Sequence, residues 1–184
     1  MKVAPTNKIV QQGSWLIGAC GIDRVSDIVQ YAVKYPIVPK TLNLNSYDEL
    51  MKFMISKVIP SIRDVLQVEK SLWDEHGVAE VPDDSSFILV THGRSFEVSE
   101  TLGVTLNREY AAVGSGTEFA YGYLAQAWKD LDWVNKHDKH AVAAVQSAIK
   151  HDLYCANPIM AYKSYSNGEV AQFRKGVGQG VVSK

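Results

Sequence analysis

The sequence predicts an α+β protein built as a layered sandwich, and two observations carry this. Strand-like and helix-like segments come in blocks: strands, two helices, strands, two helices, strands. Single alternation would instead favour a doubly wound parallel sheet. Tight turn signals also sit inside the strand blocks, at Gln12-Gly13-Ser14, His92-Gly93-Arg94 and Asn167-Gly168, and such turns join neighbouring strands as hairpins.

Each element has its own local reason. In KIVQQGSWLIGACG, Lys8, Ile9 and Val10 precede the first turn and Trp15, Leu16 and Ile17 follow it, giving two short strands. Ile22, Val25, Ile28, Val29, Ala32 and Val33 then recur at helical spacing until Pro36 ends the run. After a loop with two prolines, Ser46 with Glu49 three residues on has the form of a capping box. The helix it opens carries Leu50, Phe53, Met54 and Val58. Pro60 should kink or restart it before Ile62, Val65 and Leu66. WDEHGVAEVPDDSS is polar and marked by Gly and Pro, so a loop is expected. Phe87–Thr91 and the alternating residues after Arg94 form a hairpin, and EYAAVGSG reads as another short buried strand. Helices are expected from about Thr117 to Trp128 and from about His137 to Tyr154, before a closing hairpin at Asn167-Gly168.

The 184 residues are expected to form one domain. A formal net charge of −1 with no Lys/Arg-rich run argues against nucleic-acid binding by bulk electrostatics. Cys20 and Cys155 lie far apart and fit neither a CxxC metal pair nor a disulfide framework, which points to reduced thiols and a cytoplasmic setting. His137 and His140 share a helical spacing without a third ligand nearby, so neither a metal nor a cofactor is expected. The first residues lack the apolar core of a signal peptide, and no run approaches the ~18 apolar residues of a membrane span.

Gly114-Ser115-Gly116 turns the chain sharply between two apolar segments. A nucleophile elbow would need Gly-x-Ser-x-Gly, but Val113 and Thr117 stand at the flanks. No lysine follows at P-loop spacing, and no third glycine completes a dinucleotide fingerprint. A structural reading remains, in which Ser115 caps the next helix.

Four segments together resemble the proteasome-type β subunits of the N-terminal-nucleophile hydrolases, including the bacterial ATP-dependent proteasome-like peptidase. They are TNKIVQQGSWLIGACG, FILVTHGRSFEVSETLGVTLNREYAAVGSG, TEFAYGYLAQ and AIKHDLYCANP. The resemblance runs from about Thr6 to Tyr165 and implies a four-layer αββα sandwich. It also implies site roles: Lys8 falls on the catalytic lysine, and Ser115 and Asp152 on the serine and aspartate that organise the N-terminal group. Cys155 takes the place of a second serine, and Gly18–Gly21 lies on the oxyanion turn, with Cys20 or Gly21 supplying the N–H. The chemistry of the family suits such residues: an α-amine activates a threonine hydroxyl, an ammonium stabilises the charge, and backbone donors hold the oxyanion. The family builds rings, so a homo-oligomer is implied, with unfolded polypeptide as the candidate substrate.

In that family the nucleophilic threonine opens the mature chain. A hairpin of roughly twenty residues follows it. This sequence begins only a few residues before Lys8, and Thr6 shares that short segment with Met1 ahead of it. The expectation is therefore an N-terminally shortened, peptidase-inactive subunit. Two alternatives stand beside it: an active threonine peptidase whose first segment lies upstream, or a structural protein, for example viral, that reuses the fold. Each residue also has a plain reading: Lys8 as a solvated strand end, Cys155 as a small buried hydrophobe, and Phe119, Tyr121, Tyr123 and Trp128 as core and subunit-contact surface.

Overall fold

The computed structural model describes residues 8–75, 78–82, 85–107, 109–129 and 132–175. Thr6 lies outside them. They belong to two compact units, one of residues 8–114 with Ser164–Val170, the other of Ser115–Lys163 with residues 171–175.

In the first unit, β1 (Ile9–Gln12) and β2 (Trp15–Cys20) form the expected hairpin, with Gly13 at φ +58° in its turn. A short helix α1 (Asp23–Asp27) runs straight into a π-type turn, Ile28–Ala32. The second helix, α2 (Tyr47–Phe53), passes through another π turn (Met54–Val58) into α3 (Ile59–Val68). Pro60 has no N–H to give, so the helix widens before it and restarts. Ser46 accepts the Glu49 N–H at 3.3 Å as a cap should, but Glu49 turns its carboxylate to the Asn43 N–H, so the capping box is one-sided. Two three-residue strands, β3 (Trp73–Glu75) and β4 (Val78–Glu80), pair where the composition points to a loop. Three residues are too few for an alternation to stand out.

Strands β5 (Ser86–Thr91) and β6 (Arg94–Val98) turn through His92 and Gly93, both at positive φ, and β7 (Val104–Asn107) completes an antiparallel sheet in the order β1-β2-β5-β6-β7. The strand expected in EYAAVGSG does not form. The ladder ends at Asn107, and Ala111, Ala112 and Val113 are half-buried connecting residues. On one face of the sheet, register aligns Ile17, Leu89 and Phe96 in one row and Ala19, Phe87 and Val98 in the next. Val25, Ile28, Val29, Leu50, Met54, Val58, Ile62 and Leu66 from the helices close over them. Each such side chain is worth about 1.5–3 kcal/mol of apolar burial. Trp15 extends this core, tilted against Tyr35 and stacked on Phe53, with its indole N–H on the Pro36 carbonyl at 2.8 Å. At one end of the sheet the segment Ser164–Val170 touches the β5–β6 turn: Gly93 donates its N–H to Ser164 Oγ at 3.2 Å. Gly168 sits so close to the His92 ring that a Cβ would lie 2.6 Å from Nε2.

The second unit pairs α4 (Thr117–Ala127) with α5 (Trp133–His151), followed by the hairpin β8 (Met160–Ser164) and β9 (Val170–Lys175). Ala120 and Leu124 of α4 and Val142, Ala144 and Ala148 of α5 are buried, and the three alanines leave room for the helices to pack against each other. α5 begins a turn earlier than its apolar pattern predicts. Trp133 lies edge-on to Trp128, stacks on His140 with 8° between planes, and so draws the helix start into contacts that periodicity does not reveal. Among the described residues no helix is long and apolar enough to cross a membrane.

Candidate functional site

The Gly-Ser-Gly turn is explained by two different constraints. Gly114 stands at φ +105°, where a side chain is strained. Gly116 has an ordinary φ of −84° but no room: a Cβ there would lie 2.7 Å from both the Ala148 Cβ and the Cys155 Sγ. Ser115 does not cap α4. The cap position falls to Gly116, and the Ser115 hydroxyl instead donates to Asp152 Oδ2 at 2.6 Å.

Asp152 ends α5, its backbone turned extended at φ −107° and ψ 128°. Its Oδ1 accepts the Tyr154 N–H at 3.0 Å, and its Oδ2 also takes the Cys155 thiol at 3.2 Å. The Cys155 N–H returns to the Asp152 carbonyl at 3.3 Å. The Ser115 hydroxyl, then the Tyr154 N–H, then the Cys155 thiol hold the Asp152 carboxyl below its usual range. Burial, then the Asp152 partner, push the Cys155 thiol up. The two shifts agree: an ionised carboxylate accepts from a thiol that keeps its proton. Such a thiol is a donor, not a nucleophile. Ser115 is exposed and Asp152 and Cys155 are half-buried, so the cluster meets solvent.

Lys8, Cys20 and Gly21 belong to the first unit. Lys8 is exposed and directly precedes β1, and its carbonyl accepts the side-chain amide of Gln30 at 3.0 Å. Cys20 ends β2 opposite Ser86, with which its Sγ shares a hydrogen bond of 3.1 Å. Gly21 follows at φ +102°, and the next N–H, of Ile22, donates to the fully buried Ser85 hydroxyl at 3.3 Å. The structure thus brings Ser115, Asp152 and Cys155 together in one cluster, and ties the Lys8 carbonyl and the Ile22 N–H to the buried side chains of Gln30 and Ser85.

Gln30, Ser85 and Ser86 escape the sequence patterns. Their one available signal is polarity in the wrong place: Gln30 directly follows Ile28 and Val29 of an apolar stripe, and the two serines sit against the apolar run Phe87–Val90.

No family model matches the chain. It is 35% identical over 89 residues to proteasome subunit beta 2 of Pyrococcus furiosus, covering 45% of this chain and 43% of that protein. It is also 38% identical over 60 residues to a proteasome subunit beta of Halorubrum lacusprofundi, covering 33% and 25%. The matched part of the chain thus spans less than half the length of these relatives. Likeness in fold extends further. The Thiobacillus denitrificans protein BPH superposes with a TM-score of 0.62 at 18% identity, covering 93% of this chain and 80% of that one. The same protein in complex with epoxomicin gives 0.60 at 19%, with the same coverage. Anbu, an ancestral beta-subunit from Yersinia bercovieri, gives 0.53 at 12%, covering 83% and 65%. Part of the sequence is thus similar to proteasome β subunits, and over nearly all of its length the chain has the α+β fold of the proteasome-like N-terminal-nucleophile hydrolases.

Proposed function

We propose that the chain is a β-type subunit of a self-assembling cytoplasmic particle, built as one proteasome-like domain. The observation that carries this reading is the Ser115–Asp152–Cys155 cluster: a carboxylate held ionised by three donors, at the positions the resemblance assigns to groups that organise an N-terminal amine. The resemblance assigns the catalytic cation to Lys8 and the oxyanion donor to the Cys20–Gly21 turn. Within the 184 residues no threonine matches the nucleophile, so we propose that the polypeptide in this form binds and assembles but does not turn over peptides.

Trp128, 38% exposed on the end of α4, supports the assembly part, since aromatic side chains with one wet face are common interface anchors. A second reading, an active peptidase completed by residues upstream of Met1, is favoured by the same cluster, which is chemically intact. Fluorogenic peptides, epoxomicin with mass spectrometry, and sedimentation test the proposal together. The 184-residue polypeptide is expected to sediment as an oligomer, to release no fluorophore and to form no epoxomicin adduct. Turnover that disappears on Lys8→Ala would overturn the inactive reading. Turnover only by an upstream-extended polypeptide would establish the second. A monomer at high concentration would remove the particle.

A further inference from the structure

Among the described residues three polar side chains are buried: Gln30, Ser85 and Thr91. A buried carboxamide costs free energy unless both of its N–H groups find acceptors. Gln30 is 4% exposed, and its Nε2 donates to the Lys8 carbonyl at 3.0 Å, just ahead of β1, and to the Ile17 carbonyl at 3.4 Å, on β2. Its own backbone carbonyl accepts from the Gln12 side chain at 2.7 Å. One residue therefore holds β1 at both ends, through Lys8 before its start and Gln12 at its finish.

The local backbone explains how a glutamine comes to point inward. The chain there forms a π turn, closed by the Val33 N–H on the Ile28 carbonyl at 3.1 Å. Such a turn widens the helix by a residue and often marks a functional position. Ile28, Val29 and Gln30 are all buried in consequence, three in a row, where a regular helix would bring the third round toward solvent.

We infer that Gln30 is a positioning residue for Lys8, an inference that rests on the reading of Lys8 as the cation of the candidate site. A lysine has a long stem with many rotamers, and a hydrated point charge at its tip. If its backbone root also moved, the ammonium would be placed by chance. β1 is four residues long, and Ile9, Val10 and Gln12 are only half-buried. Its ladder to β2 starts at Ile9, so the ladder alone leaves Lys8 outside the pairing. The Gln30 amide supplies the missing restraint at Lys8 itself.

The test needs no turnover, so a failure of the peptidase-like reading and a failure of this inference are separable. In the intact 184-residue polypeptide, ¹⁵N relaxation is measured for wild type and for Gln30→Met, which keeps the length and apolar volume and removes both donors. The Lys8 and Ile9 amide order parameters are expected to fall from about 0.85 to below about 0.6, with those of α3 and the β5–β6 hairpin unchanged. No change at Lys8, or an equal fall everywhere, would overturn the inference; the equal fall would make Gln30 a core residue only. Should Gln30→Met fail to fold, the wild-type protein still decides: exchange of the Gln30 side-chain amide hydrogens is expected to be slowed by about 100-fold, as for other bonded groups of a stable region. Exchange at the free rate would overturn the inference.

Discussion

The Asp152 cluster and the Lys8 segment, each in its own unit, are held in opposite ways. At Asp152 the bonds converge on a side chain: two side-chain donors and one N–H meet a carboxylate that touches solvent. At Lys8 and at Ile22 the bonds join buried side chains to backbone groups: the Gln30 amide donates to the Lys8 carbonyl, and the Ser85 hydroxyl accepts the Ile22 N–H. The first arrangement fixes a charge. The second fixes a root. A charge can be tuned by pH, whereas a root responds only to packing and to loss of its bond, and the expected effects of substitution divide along this line.

The largest effect is expected where the cluster depends on space. Gly116→Val would drive a side chain into Ala148 and Cys155, both 2.7 Å from the Cβ position. Overpacking of this kind costs about 3 kcal/mol, or roughly 6–12 °C in Tm for a chain of this size. Calorimetry reads it, and an unchanged Tm would mean that the α4–α5 junction yields. A smaller effect is expected on the backbone-held side. Ser85→Ala removes the acceptor of the Ile22 N–H in a buried setting, at about 1–2 kcal/mol. Hydrogen exchange should show Ile22 losing protection well before the centre of β5 does, and equal protection would place that N–H on another acceptor.

The smallest effect, and the one that only the charge-held side can show, concerns pH. Asp152 has its folded pKa depressed, chiefly by the Ser115 hydroxyl. Its contribution is therefore fully present above the unfolded value of about 3.9 and is lost as pH falls through the lower folded pKa. Asp152→Asn should lower Tm at neutral pH, and the difference from wild type should vanish on acidification below that window. Ser85→Ala should show no such convergence. A parallel offset at every pH for Asp152→Asn would mean that the carboxylate acts by shape and not by charge.

Local chemistry made much of this legible in advance. The Gly13 turn, the Ser46 cap, the His92-Gly93 turn and the closing hairpin all follow from residue types at a few adjacent positions, and each forms. The elements that escape depend on partners distant in sequence. In the π turn at Ile28–Ala32, Gln30 meets carbonyls of Lys8, ahead of β1, and of Ile17 on β2, partners that no helical period encodes. The apolar residues of EYAAVGSG predict a strand, but they lie beyond the last rung of the β6–β7 ladder. In the candidate site, an aspartate at the unfavourable end of a helix dipole announces a partner, and Ser115 is the first donor it finds. That Ser115 would leave α4 uncapped to do so is decided by Gly116, which seats the turn against α5.

The two glycines around Ser115 also bear on the unfolded chain. Glycine ranges over more backbone conformations than any other residue, and here two of them flank a single serine. Replacing a glycine to narrow that range is a common route to a more thermostable protein, but neither position offers it: Gly114 is barred by its angle and Gly116 by its neighbours. The Ser115–Asp152 bond therefore forms against an unusually large loss of disorder. Warming weighs against such a bond more heavily than against one made from stiff chain, so on heating this turn is expected to lose hydrogen-exchange protection ahead of the sheet, and equal protection at every temperature would refute it.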